Sequence, residues 1–76
     1  MNEEERLRRE IRAVKEAIDI HRKEEEVYGN DFVELRAEEF RREFSGFQHL
    51  LNVNPEKLEE HRERLQRDLE VLRGER

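Results

Sequence analysis

LRREIRAVKEAIDIHRKEEEVY, residues 7–28, places Leu7, Ile11, Val14, Ile18, His21, Glu25 and Tyr28 at alternating steps of four and three. That spacing puts one stripe along a helix and is the seam pattern of a coiled coil. The flanks of the seam are sorted by charge. Arg8, Lys15 and Arg22 follow the seam on one side, and Glu3, Glu10, Ala17 and Glu24 precede it on the other. In a parallel pair of identical helices, Glu3 would meet Arg8 and Glu10 would meet Lys15. The pattern therefore speaks of packing and association. It does not speak of catalysis.

Two further helices follow. The second has its own seam at Val33, Ala37, Phe40, Phe44, Phe47 and Leu51, again in steps of four and three. Its apolar register continues across Gly46, so the expectation is one helix over about 31–51, bent at the glycine. The alternative is a stop near Ser45 and a separate turn at 47–51. Asn52-Val53-Asn54-Pro55 is a boundary, because Asn54 can cap and Pro55 suits a first helical position where no N–H is needed. The third helix is expected over about 55–73, with Leu58, Leu65, Leu69 and Leu72 on one side and Gly74 closing it. The first helix is expected over about 3–28, capped by Asn2 with Glu5 three residues on, and closed by Gly29.

The fold class expected from this pattern is all-α: one domain spanning residues 1–76, an antiparallel three-helix bundle running up-down-up, with a long first helix. Short connections make sequential helices antiparallel neighbours. The core should centre on Phe40, Phe44 and Phe47. The first helix would be about 39 Å long and the second about 32 Å at 1.5 Å per residue. The overhang, and a core limited by the chain's length, favour association into a larger helical bundle.

Composition bounds the function. Of 76 residues, 49% are charged, with 21 acidic and 16 basic side chains and a net charge of −5. Leu, Ile, Val and Phe still contribute 20 residues, enough for a folded domain. Cysteine is absent, so disulfides and thiolate metal sites are excluded. No apolar run approaches the ~18 residues of a membrane span. The acidic start Asn2-Glu3-Glu4-Glu5 is unlike a signal peptide, so a cytoplasmic location is expected. Arginine outnumbers lysine 13 to 3, which suits a GC-rich or thermophilic source, and equally an engineered chain.

Chemistry-bearing motifs are scarce. There is no glycine-rich phosphate loop, and Ser45 lacks a nucleophile-elbow context. His21 and Glu25 share a helix face, but His49 and His61 lie on other segments and no metal-binding helix motif is present. No catalytic residue, metal site, cofactor or small-molecule substrate is expected. Arg8, Arg12, Lys15 and Arg22 make a narrow basic edge, whereas no helix is basic overall, so nucleic acid is not the expected partner. His21 sits on the seam, where a polar residue can set register.

A second apolar stripe points to contact. Ile20 and Val27 lie off the first seam, and Phe32 and Leu35 lie off the second. Antiparallel pairing brings these four to one end of the hairpin, where an up-down-up path also delivers Val71 and Leu72. The expected partner-binding surface is therefore Ile20, Val27, Phe32 and Leu35, bordered by Arg22, Lys23 and Glu24. The function class expected is a non-catalytic protein-interaction or regulatory module that forms a homodimer, binds another protein, or both. The alternatives are a designed or purely structural bundle without a natural ligand, and a nucleic-acid-associated accessory protein.

Overall fold

Asn2 starts the first helix as its sequence requires: the Glu5 N–H donates to Asn2 Oδ1 at 2.8 Å. The computed structural model describes residues 2–25 and 30–74. In it, α1 spans Glu3–Glu25, α2 spans Asn30–Glu43 and α3 spans Pro55–Leu72, with a 3₁₀ helix over Gln48–Asn52 between the last two. The expected extension of α1 through Val27 and Tyr28, and its closure by Gly29, lie outside the described residues. Asn54 caps α3 through a 2.8 Å bond from the Glu56 N–H, and Pro55 takes the first position. Gly74, at φ +77°, ends it, its N–H donating to the Val71 carbonyl. The described residues are all-helical in their regular structure, with three α-helices and a long first one, as the periodicity predicts.

Helix 2 does not run through Gly46. It stops at Glu43, and Gly46 adopts φ +97°, a conformation in which an L side chain is strained. The expectation of a helix over 31–51 is corrected accordingly, and the stop with a separate short turn is what occurs. The reason lies on α1. At roughly 100° per residue, the α1 face that α2 borders carries Ala13, Ala17 and Ile20, but nothing apolar before Ala13. A prolonged α2 would carry Phe47 and Leu51 past Asn2, Glu5, Arg6 and Arg9. Turning back at Gly46 lets the 3₁₀ helix pack on α1 and α2 instead. The change of helix type also changes which leucine faces inward. Three residues per turn align Phe47, Leu50 and Val53, so Leu50 is buried while Leu51 is half-exposed.

That early stop also reverses the third helix. Arg36 of α2 reaches Glu16 at 3.0 Å and Asp19 at 3.6 Å, and Arg12 reaches Glu43 at 3.2 Å, so α2 runs antiparallel to α1. On α3, Glu59 meets Arg22 at 2.9 Å and Arg73 meets Glu4 at 3.4 Å, so α3 is antiparallel to α1 as well. The expected up-down-up path is thus corrected to one in which α2 and α3 point the same way. Residues 44–54 climb back along α1, roughly 15 Å at helical rise, before α3 begins. Had α2 reached residue 51, the short link to Pro55 would have left α3 running parallel to α1.

The core is one cluster in which α1 contributes most. Leu7, Ile11, Val14 and Ile18 form the expected seam, and Ala13, Ala17 and Ile20 form a second buried stripe beside it. The ion-paired residues Glu4, Arg22 and Glu10 straddle the first stripe, so α3 covers it. Arg9, Arg12, Glu16 and Asp19 border the second, so α2 lies there. Among the described residues α2 and α3 share almost no contact. The alanines between their two tracks are fully buried and leave room for the returning segment. Phe40 and Phe44 are buried with ring centroids 5.3 Å apart, while Phe47 is only partly buried at the edge of the cluster, so the core centres on α1 and not on the three phenylalanines. Phe44 also lies 5.8 Å beneath the Arg12 guanidinium. The Arg9 guanidinium donates to the Glu43 carbonyl at 3.1 Å, placing a cation at the end of α2 where the helix dipole is negative. The resulting shape is extended, 43 × 24 × 15 Å, with a radius of gyration of 13.5 Å, against about 11 Å for a compact chain of this length.

Candidate contact surfaces

The second apolar stripe of α1 is spent inside the molecule. Ile20 is 2% exposed and belongs to the core cluster, so it cannot contact a partner from this fold. Its removal from the partner surface is a correction with a simple cause: Ala13, Ala17 and Ile20 are spaced four and three, a seam in their own right. The signal was present in the sequence, hidden because two of its three members are alanines. Val27, the other member on α1, lies outside the described residues.

Phe32 and Leu35 are different. They stand on the first turns of α2, 41% and 56% exposed, on the flank away from the buried Phe40 and Phe44. Their intended charged border is engaged within the chain. Arg22 is bonded to Glu59 at 2.9 Å, Lys23 is 4.0 Å from Asp19, and Glu24 is 3.8 Å from His21 Nδ1. Such exposed pairs each contribute about 1 kcal/mol at most, so a partner could recruit them at small cost.

Val71 and Leu72 do not join this patch. Because α3 is reversed, they sit at the opposite end, beside the start of α1. Val71 is 77% and Leu72 47% exposed, and with Leu7, Glu3 and Asp68 they line an open groove of about 390 Å³. Among the described residues, the four exposed large hydrophobic side chains therefore divide into two pairs at the two ends of an elongated molecule.

The basic edge of α1 is largely neutralised. Arg8 lies 3.9 Å from Glu4, Arg12 3.2 Å from Glu43 and Arg22 2.9 Å from Glu59, leaving Lys15 without an ion pair among the described residues. An array of free cations, which phosphate binding requires, is not formed there.

The histidines are dispersed. His21 lies on the first seam, with Nε2 buried and without a hydrogen-bond partner. His61 Nε2 is 3.0 Å from Glu10 Oε2 and ties α3 to α1. His49 is exposed on the 3₁₀ helix. No grouping of three or more metal-binding side chains occurs among the described residues. Ser45 is exposed in the turn before Gly46, and no base stands hydrogen-bonded to it among the described residues. No described helix is long and apolar enough to cross a membrane.

No protein-family model, curated protein or solved structure matches this chain.

Proposed function

We propose that this chain is a non-catalytic protein-interaction module that works as a homo-oligomer. The observation that carries the reading is the disposition of its apolar residues. A chain with 49% charged residues leaves Phe32 and Leu35 half-exposed at one end and Val71 and Leu72 exposed at the other. Large apolar groups on so charged a surface are characteristic of contact sites. The partner-binding surface proposed on α2 is Phe32 and Leu35, bordered by Arg22, Lys23 and Glu24. The ion-paired state of the basic edge favours protein over nucleic acid as the partner.

Light scattering over a wide concentration range tests the oligomer: a mass above that of the monomer is expected, and a strict monomer throughout refutes self-association. For the α2 patch, the wild type and a Phe32→Glu/Leu35→Glu variant serve as baits. Proteins captured by the wild type should be lost with the variant, and an unchanged profile rules the patch out.

A further inference from the structure

Given the protein-interaction reading above, on which this rests, we infer that the groove between the start of α1 and the end of α3 receives a basic amphipathic segment of another protein. The segment would carry a large apolar side chain flanked by lysine or arginine.

Leu7, Val71 and Leu72 make the apolar part of the groove. The exposed residues of α3 are charged from Glu56 through Glu70, and Val71 and Leu72 break the pattern. Leu72 continues the inward stripe of Leu58, Leu65 and Leu69. Val71 lies well away from that stripe on the helical wheel and is 77% exposed. An apolar side chain from outside would cover it.

Charge says which kind of segment fits. The charged residues that line the groove, Glu3 and Asp68, are both acidic. Asp68 is exposed and forms no ion pair among the described residues, although Arg64 stands one turn away on the same helix. Glu3 is held by Arg6 at 2.8 Å, but both side chains are more than half exposed. Such pairs are weak, so Glu3 can also receive a cation from a partner.

The backbone adds to the same sign. α3 ends at Leu72, and the last turn of a helix carries negative partial charge on its free carbonyls. No basic residue stands in that turn, whereas the last turns of α1 and α2 hold Arg22 and Lys23, and Arg41 and Arg42. Arg73, just beyond α3, reaches Glu4. Glu70 occupies the last turn and Asp68 stands just before it, acids at an end where the dipole disfavours them. A cation supplied from outside would satisfy this end of α3.

A second copy of the chain lacks the matching charge. Groove to groove, the carboxylates of Glu3 and Asp68 would face their own counterparts. The other exposed apolar pair, Phe32 and Leu35, stands among the exposed acids Asp31, Glu34 and Glu38. Arg22 and Lys23, which border that pair, are already held by Glu59 and Asp19. The acids at the start of α2 also have a local explanation, because a helix N-terminus favours them. Asp68 has no such explanation.

An NMR titration of the isotopically labelled full chain provides the test. The probe is a synthetic helical peptide of leucine and lysine, its lysines flanking a leucine stripe; in the control peptide glutamate replaces lysine. The lysine peptide should shift the amides of Leu7, Asp68 and Val71 and leave those of Phe32 and Leu35 in place, and the glutamate peptide should not bind. Val71→Gln should weaken binding on the order of tenfold, with an unchanged helical spectrum because the site is open. Asp68→Lys should weaken the lysine peptide and bring the glutamate peptide to the same amides. Phe32→Gln should leave the affinity unchanged. Absence of binding, shifts centred on Phe32 and Leu35, or equal binding of the two peptides overturns the inference. So does a wild-type dimer, in sedimentation equilibrium, that Val71→Gln dissociates, since a second copy would then fill the groove. The protein-interaction reading survives any of these results if proteins are still captured through Phe32 and Leu35, and falls as well if they are not.

Discussion

Replacing Gly46 by alanine separates two architectures by the sign of its effect. If helix 2 ran unbroken to residue 51, Gly46 would be a helix-interior glycine, and alanine would stabilise the protein by about 1 kcal/mol. In the structure Gly46 has φ +97°, where a Cβ meets the backbone unfavourably at a cost of about 1–2 kcal/mol. Removing glycine from the unfolded chain returns part of this, about 0.4–1 kcal/mol, so the net effect is a loss of about 1 kcal/mol. No steric complication intrudes, since an added Cβ would have nothing within 4 Å. The hydrogen bond from the Gly46 N–H to Gln48 Oε1, 3.0 Å long, survives only if the backbone keeps this conformation. For a domain of this size a loss of about 1 kcal/mol lowers Tm by about 4–8 °C. Thermal and urea unfolding followed by circular dichroism, at matched protein concentration because association shifts apparent stability, reads the outcome. A chemically synthesised chain with D-alanine at position 46 should reverse the sign, because its stereochemistry favours positive φ. A stabilised Gly46→Ala protein would refute the broken helix, and with it the physical account of why α3 is reversed.

Core and surface leucines should respond very differently. Leu58→Ala and Ile20→Ala are each expected to cost about 2–5 kcal/mol in urea unfolding, while Leu35→Ala should stay within about 0.5 kcal/mol; an Ile20→Ala variant as stable as wild type would return Ile20 to the surface. His21→Leu removes a buried nitrogen that has no hydrogen-bond partner, and a gain of about 1 kcal/mol is expected from the penalty such groups carry; a clear loss would mean that the ring makes a bond in solution. The direction of α3 is open to paramagnetic NMR. A nitroxide on Arg73→Cys should broaden amides near Glu4 and Leu7, and broadening near Arg22 instead would restore the up-down-up path.

The open arrangement of the helices follows from their side chains. α1 is the hub, with α3 on one stripe and α2 on the other, and a returning segment crosses the alanines between. Wide separation of α2 and α3 keeps the fold extended and leaves its ends thinly covered. Val71 and Leu72 lie beyond the level at which α2 ends, and Phe32 and Leu35 lie at its start.

The amino-acid sequence by itself determined the three helices, their caps at Asn2 and Asn54, the burial of Phe40 and Phe44 and the apolar part of the first seam of α1. These depend on local chemistry and on a period of 3.6 residues, both of which act within a few turns. Only the tertiary structure decided the end of α2, the direction of α3 and the burial of Ile20. Helical periodicity states which residues share a face, and it does not state which neighbour will cover that face. The unbroken register of Val33 through Leu51 was consistent with one long helix. Its last turns, however, had no apolar surface to meet on the polar first turns of α1, and a glycine at position 46 made the turn back inexpensive. From that one turn followed the reversal of α3, which carried Val71 and Leu72 to the far end of the molecule from Phe32 and Leu35.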